Sequence, residues 1–124
     1  AYKTLPQPLI TPISMLPETL QAELQSSELL DFGLTVEPGQ FSFCETYCVA
    51  PCSLVSAYAL AIANSGLAKR ILLAGFDGFD AGDARNDEIE AVFGLFSTTD
   101  FSGDLVSITQ TKYKNLRSVS VYAM

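Results

Sequence analysis

The sequence predicts an α/β layered domain with a mostly parallel sheet and one antiparallel element. Helix-like and strand-like periodicities alternate along the chain, and the connections between them are short. Residues 69–74 (KRILLA) form a continuous apolar run after two bases, the pattern of a central strand buried on both faces. The chain has 124 residues, 48% apolar and 17% charged. That suits one domain burying roughly two-thirds of its unfolded surface and is too apolar for intrinsic disorder.

The elements follow in order. Residues 9–13 read as a short strand stopped by Pro12, with Ser14 as a cap. Pro17 and Glu18 suit the first turn of a helix whose inner stripe is Leu20 and Leu24, running to about Leu30. Phe32, Leu34 and Val36 alternate with Gly33 and Thr35, which predicts a strand. Pro38-Gly39 fits the centre of a type II turn that returns the chain into residues 41–43 as a hairpin. Ser53 is a good N-cap for a helix over 54–65, closed by Gly66 at the position favouring a left-handed residue. That helix has almost no polar face, so it predicts burial on both sides or a partner surface. Ile89, Val92, Phe93 and Phe96 mark a helix over 86–97 with acids in its first turn. Residues 105–108 and 119–122 close the chain as strands.

Several function classes fall away on composition. The net charge is −7, which leaves no basic surplus for displacing phosphate counterions, so nucleic acid is not an expected partner. There is no histidine, the commonest general base and metal ligand. The longest apolar run, 54–63, is about half of the roughly 20 residues a membrane span needs. Three cysteines and no signal-peptide pattern make a cytoplasmic protein the expectation. Residues 1–8, with Pro6 and Pro8, read as a linker from a preceding domain, leaving 9–124 as the folded unit.

In a parallel sheet the ligand crevice lies beyond the carboxyl ends of the strands. That rule singles out 11–14, 75–83 and 109–113. Gly75-Phe76-Asp77-Gly78 lets the backbone turn sharply, but it is not a dinucleotide fingerprint. Asp77, Asp80, Asp83 and Asp87 would repel a phosphate unless a cation intervened, so the functional reading is a Mg²⁺-bridged phosphate site. The plainer reading is a solvated loop whose aspartates cap turns. Cys44, Cys48 and Cys52 lack the fourth ligand of a structural zinc site and read as small buried side chains. The run Val49–Ser53 resembles the nucleophile helix of thiolases and ketoacyl synthases, which need a histidine that this chain lacks. Thr109, Thr111, Lys112 and Tyr113 offer two hydroxyls, an ammonium and a phenol, suited to a sugar or phosphate.

Four segments together carry a family resemblance: residues 57–79 (AYALAIANSGLAKRILLAGFDGF), 84–88 (ARNDE), 109–113 (TQTKY) and 118–124 (SVSVYAM). They resemble the C-terminal domain of aldolase-like proteins of the HMG-CoA lyase and isopropylmalate synthase superfamily. Such proteins, often described as 4-hydroxy-2-oxovalerate aldolase-like, occur in bacterial surface-polysaccharide gene clusters. The resemblance implies a Rossmann-like three-layer domain joined to an N-terminal TIM barrel that carries the lyase chemistry. The GFDG loop is also similar to loops of Rossmann-like diphosphokinases and sialyltransferases. Ala84 and Gln110 stand where prolines are expected, which removes a source of stiffness from both loops.

These readings combine into an accessory domain binding a nucleotide, sugar phosphate or sugar nucleotide. Ser14, Ser53, Gly75, Asp77, Asp80, Thr109, Thr111, Lys112 and Tyr113 are its expected ligand-binding residues. Asp77 and Asp80 would hold Mg²⁺ or ribose hydroxyls, and the helix terminus at Ser53 would face an anion. The alternatives are a diphosphate- or glycosyl-transferring enzyme domain, and a module that docks the barrel or forms a homodimer through the apolar helix.

Overall fold

A computed structural model describes residues 7–24 and 28–123. Most of the expected linker, and the first helix beyond Leu24 as far as residue 27, lie outside the described residues. The architecture is mixed α/β with predominantly parallel pairing. β1 (Leu9–Thr11) pairs in parallel with β2 (Leu29–Asp31), and α1 (Glu18–Glu23) lies between them in sequence. Helix α1 is short, because the chain is already a strand at Leu29 where the helix was expected to continue. A 3₁₀ turn at Ile13–Met15 follows β1, its first N–H donating to Asp31 Oδ1 at 3.1 Å.

The second sheet corrects the expected hairpin. Pro38-Gly39 does form the turn: Gly39 has φ +77 and the Gln40 N–H donates to the Glu37 carbonyl at 3.1 Å. However, β3 (Gly33–Val36) does not pair with β4 (Ser42–Phe43). A strand that periodicity did not reveal, β5 (Tyr47–Ala50), inserts between them, parallel to β3 and antiparallel to β4. Cys48 and Ala50 are fully buried there, small enough for α2 (Val55–Ser65) to pack closely over the strand. The run 47–50 has neither the length nor the β-branched content that would single it out as a strand.

Helix α2 departs from expectation at both ends. Its N-cap is Leu54, without a side-chain bond, and Ser53 lies one residue outside as an exposed loop residue. At the C-terminus Gly66 has φ −80 and Leu67 takes the left-handed conformation at φ +58. The Ala68 N–H donates to the Ala63 carbonyl and the Leu67 N–H to the Asn64 carbonyl, the paired bonds of a Schellman motif. Nor is α2 buried on both sides. Ala57, Leu60 and Ala61 are buried, whereas Val55 is 81% exposed.

The third sheet is wholly parallel: β6 (Arg70–Leu73), β7 (Asp104–Ser107) and β8 (Arg117–Ser118), in that order. β6 is therefore an edge strand of this sheet, and its exposure alternates. Ile71 and Leu73 pack inward, while Arg70 and Leu72 face out. The expected burial of β6 on both faces fails because, among the described residues, the core covers one face only. The expected strand at 119–122 is displaced: β8 ends at Ser118 and Val121–Ala123 forms a 3₁₀ turn.

Helix α3 (Ala84–Ser97) begins two residues before the apolar periodicity suggests, because Asp83 caps it by accepting the Arg85 N–H at 2.9 Å. It is the organising element of the core. Phe96 packs on Phe41, Phe43 and Phe101, with centroids 5.7, 6.0 and 5.1 Å away, which ties the second sheet to the third. Phe93 packs on Phe76 at 5.6 Å and on Tyr113 at 5.8 Å, one aromatic from each loop that follows a strand of the third sheet. Among the described residues no helix is long and apolar enough to cross a membrane.

Leu67 gives a direct test. Its side chain is 85% exposed, so little burial is lost on truncation, while its left-handed backbone costs roughly 1–2 kcal/mol in an L-residue. Leu67→Gly should stabilise the fold by about 1 kcal/mol, net of glycine's own backbone entropy, as read from the urea midpoint.

Candidate functional site

The carboxyl ends of β6 and β7 bring two loops side by side, residues 74–83 and 108–116. Their pairing is direct. The Gly75 N–H donates to Thr109 Oγ1 at 3.0 Å, and the Thr109 hydroxyl in turn donates to Asp77 Oδ1 at 3.4 Å. The Lys112 N–H donates to the Asp77 carbonyl at 3.2 Å. The Lys112 ammonium donates to the Phe79 carbonyl, so this side chain spans the first loop. It can do so because residue 78 is glycine. A Cβ there would stand 2.6 Å from Lys112 Cγ and Cε, and the backbone has φ +108. The GFDG sequence thus serves a close approach between loops as well as a turn.

Helix α3 fixes this arrangement from behind through Asn86. Its Oδ1 accepts the Phe79 N–H at 2.8 Å and the Tyr113 hydroxyl at 3.2 Å. Its Nδ2 donates to the carbonyls of Phe79, at 3.2 Å, and Asp80, at 3.0 Å. One amide therefore holds both loops at once. Glu90, a turn further along α3, accepts the N–H groups of Lys114 at 3.0 Å and Asn115 at 3.1 Å. These bonds stiffen both loops, neither of which carries a proline. Sequence reasoning read Asn86 only as a helix start; its place in the ARNDE segment was the available signal.

Between the loops lies an open cleft of about 270 Å³, lined by Asp77, Gln110, Thr111 and Lys112. Its polar groups keep bonding capacity. An ammonium carries three N–H donors, and the Phe79 carbonyl takes one from Lys112. A carboxylate offers about four lone-pair positions, and Thr109 occupies one on Asp77. Thr111 Oγ1 accepts the Tyr113 N–H at 3.2 Å and retains its own proton to donate. Such a cleft can take hydroxyls on Asp77 and an anionic oxygen on Lys112 and Thr111.

The other expected residues are placed differently. Tyr113 is 3% exposed, its hydroxyl committed to Asn86, and burial beside the Glu90 and Asp83 carboxylates pushes its phenol up, so it stays a donor within the core. Asp80 is exposed and joins the network through its backbone carbonyl. Ser14 belongs to the 3₁₀ turn after β1, and Ser53 precedes α2; neither lines the cleft. The four aspartates do not form one group. Asp83 caps α3 and pairs with Arg85 at 2.7 Å, and the Arg85 guanidinium lies 3.9 Å over the Phe79 ring. Among the described residues no three His, Cys, Asp or Glu side chains come together as a metal cage. Cys48 is buried and its thiol is pushed up to about 11, chiefly by that burial; Cys52 packs against the core two residues before the N-cap Leu54.

Comparison of the chain with known proteins finds no matching family model, no matching curated protein and no matching solved structure.

Two outcomes test this geometry. Asn86→Ala should cost about 1–3 kcal/mol by stranding its part-buried partners, and it should speed hydrogen exchange at the Phe79 amide. Hydrogen bonds from Arg85 hold the Asp83 carboxyl at about 2, below its ordinary 3.8. The cap's charged contribution is therefore complete above the ordinary value and is lost as pH falls through about 2. Arg85→Gln should raise the Asp83 midpoint toward 3.8 in a carboxyl NMR titration, moving that loss to higher pH.

Proposed function

We propose that this chain is an accessory, ligand-binding domain that takes a sugar phosphate, nucleotide or sugar nucleotide in the cleft between the two loops. The observation that carries the reading is the placement of Asp77 opposite Thr111 and Lys112 at the carboxyl ends of adjacent parallel strands. Asp77 accepts ribose or hexose hydroxyls, and Lys112 with Thr111 receives the phosphate. Lys112 is the one cation lining the cleft, in a chain of net charge −7. Mg²⁺ would fit only as a bridge between Asp77 and a phosphate of the ligand, since magnesium is commonly held by one or two carboxylates plus phosphate oxygens.

The parallel pairing and the core built around α3 support a Rossmann-like layered arrangement for the domain. The four segments that resemble the C-terminal domain of aldolase-like proteins support its attachment to a TIM barrel of that superfamily. Three of them supply the cleft and its brace: GFDG, ARNDE and TQTKY contain Asp77, Asn86 and Lys112. On this reading lyase chemistry belongs to the barrel, and this domain recognises a ligand.

Calorimetry with uridine monophosphate, uridine diphosphoglucose and glucose 6-phosphate, each with and without Mg²⁺, tests the proposal. At least one should bind, and Lys112→Gln should weaken it about tenfold or more, the loss expected for a charged hydrogen bond. Absence of heat from all three would remove the reading.

A further inference from the structure

Another space, of about 350 Å³, reaches the first loop at Phe76, the residue before the cleft's Asp77. Helix α2 runs into β6 through residues 66–69, so the start of the helix lies near the carboxyl end of the strand. The cavity lies there. Leu60 and Phe93, 3% and 1% exposed, form its floor, and Ile71 and Leu73 form its strand wall. Phe76 closes the end nearest the loop, and exposed Val55 stands at the rim. Ser56 is the one polar side chain in the lining. In this open groove the protein offers water few hydrogen-bond partners, so an apolar group can displace it favourably.

Phe76 and Asp77 are consecutive, and they face different spaces. Phe76 packs on Phe93 and walls the apolar cavity, whereas Asp77 lines the polar cleft. One peptide unit, about 3.8 Å between Cα atoms, separates the two environments. The surface over Gly75 is open, since a Cβ added there would meet nothing within 4 Å. A ligand spanning the two spaces would have to cross this loop, beside Gly75.

From this juxtaposition we infer that the ligand is amphiphilic: a phosphorylated, hydroxylated group in the cleft, joined to an aliphatic or aromatic substituent seated between α2 and β6. This rests on the cleft reading and names the class of ligand it takes. The cavity sets the apolar substituent, and Asp77 with Lys112 sets the polar group.

Methyl, butyl, hexyl and octyl phosphate, below their micellar concentrations, are suitable calorimetric probes. Burying each added CH₂ should tighten binding about three- to fourfold. The gain should exceed tenfold overall and level off once the cavity is full. Ala59→Phe fills the cavity from an exposed helix position and should abolish the chain-length gain while methyl phosphate still binds. Ala59→Leu, a milder filling, should remove part of it. Lys112→Gln should weaken every member equally and leave the gain per CH₂ intact. Binding of methyl phosphate without any chain-length gain would overturn the inference and leave the cleft reading standing. So would a gain that persists in Ala59→Phe, or a cavity closed to the probes by a second copy of the chain in sedimentation. Failure of all four phosphates to bind would overturn the inference, while the sugar phosphate and nucleotides decide the cleft reading separately.

Discussion

The packing of Phe93 determines whether this molecule has a site at all. Its ring receives Phe76 from the loop after β6 and Tyr113 from the loop after β7. Edge-on aromatic contacts of this kind add about 0.5–1.5 kcal/mol to the burial itself. More important is where the force acts. Each loop is anchored by one aromatic to the same buried side chain, so neither can shift without disturbing the core. Asn86, two turns earlier on α3, then adds hydrogen bonds that fix the loops' orientation. Packing sets the distance between the loops, and the amide sets their register.

That division explains how a chain with twice as many acidic as basic residues presents a cation to a cleft. Lys112 lies along Gly78, and its ammonium rests on a backbone carbonyl rather than in an ion pair with Asp77. A carbonyl holds an ammonium without cancelling its charge. Asp77 is likewise steadied by a neutral hydroxyl, that of Thr109. Both charges stay available to a ligand because neutral partners orient them. Had Asp77 and Lys112 paired directly, an incoming phosphate would first have to break a salt bridge.

The fold was legible where periodicity is long. The helices at 55–65 and 84–97 and the strands at 70–73 and 104–107 follow from apolar spacing and lie within two residues of expectation. Among the short elements β1 and β3 also fall where expected, whereas β5 does not show in the local pattern. β5 depends on buried Cys48 and Ala50 fitting beneath α2, a tertiary condition that no local pattern encodes. The helix ends at Ser65 as expected, but Gly66 serves as the C-cap at φ −80, so the left-handed residue of the closing motif falls on Leu67. The loop aspartate and the threonine–lysine segment meet at one edge, where parallel sheets place such loops. Tyr113 is turned into the core onto Asn86, which sequence does not signal because a phenol looks the same whether it faces a cleft or a core. Asn86 was missed because a helix-start asparagine has a commonplace explanation in capping.

How the two loops are held bears on how the cleft responds to the rest of the fold. Proline stiffens a loop locally, by restricting its own φ whether or not the domain around it is packed. Asn86 and Phe93 act only when α3 is seated, because every partner they hold belongs to another element. Order in the cleft is therefore coupled to core packing rather than written into the loops. The same helix floor that carries Phe93 also bounds the apolar cavity between α2 and β6. The cavity's wall at Phe76 and the cleft's at Asp77 are thus consecutive residues of one loop, seated on Phe93.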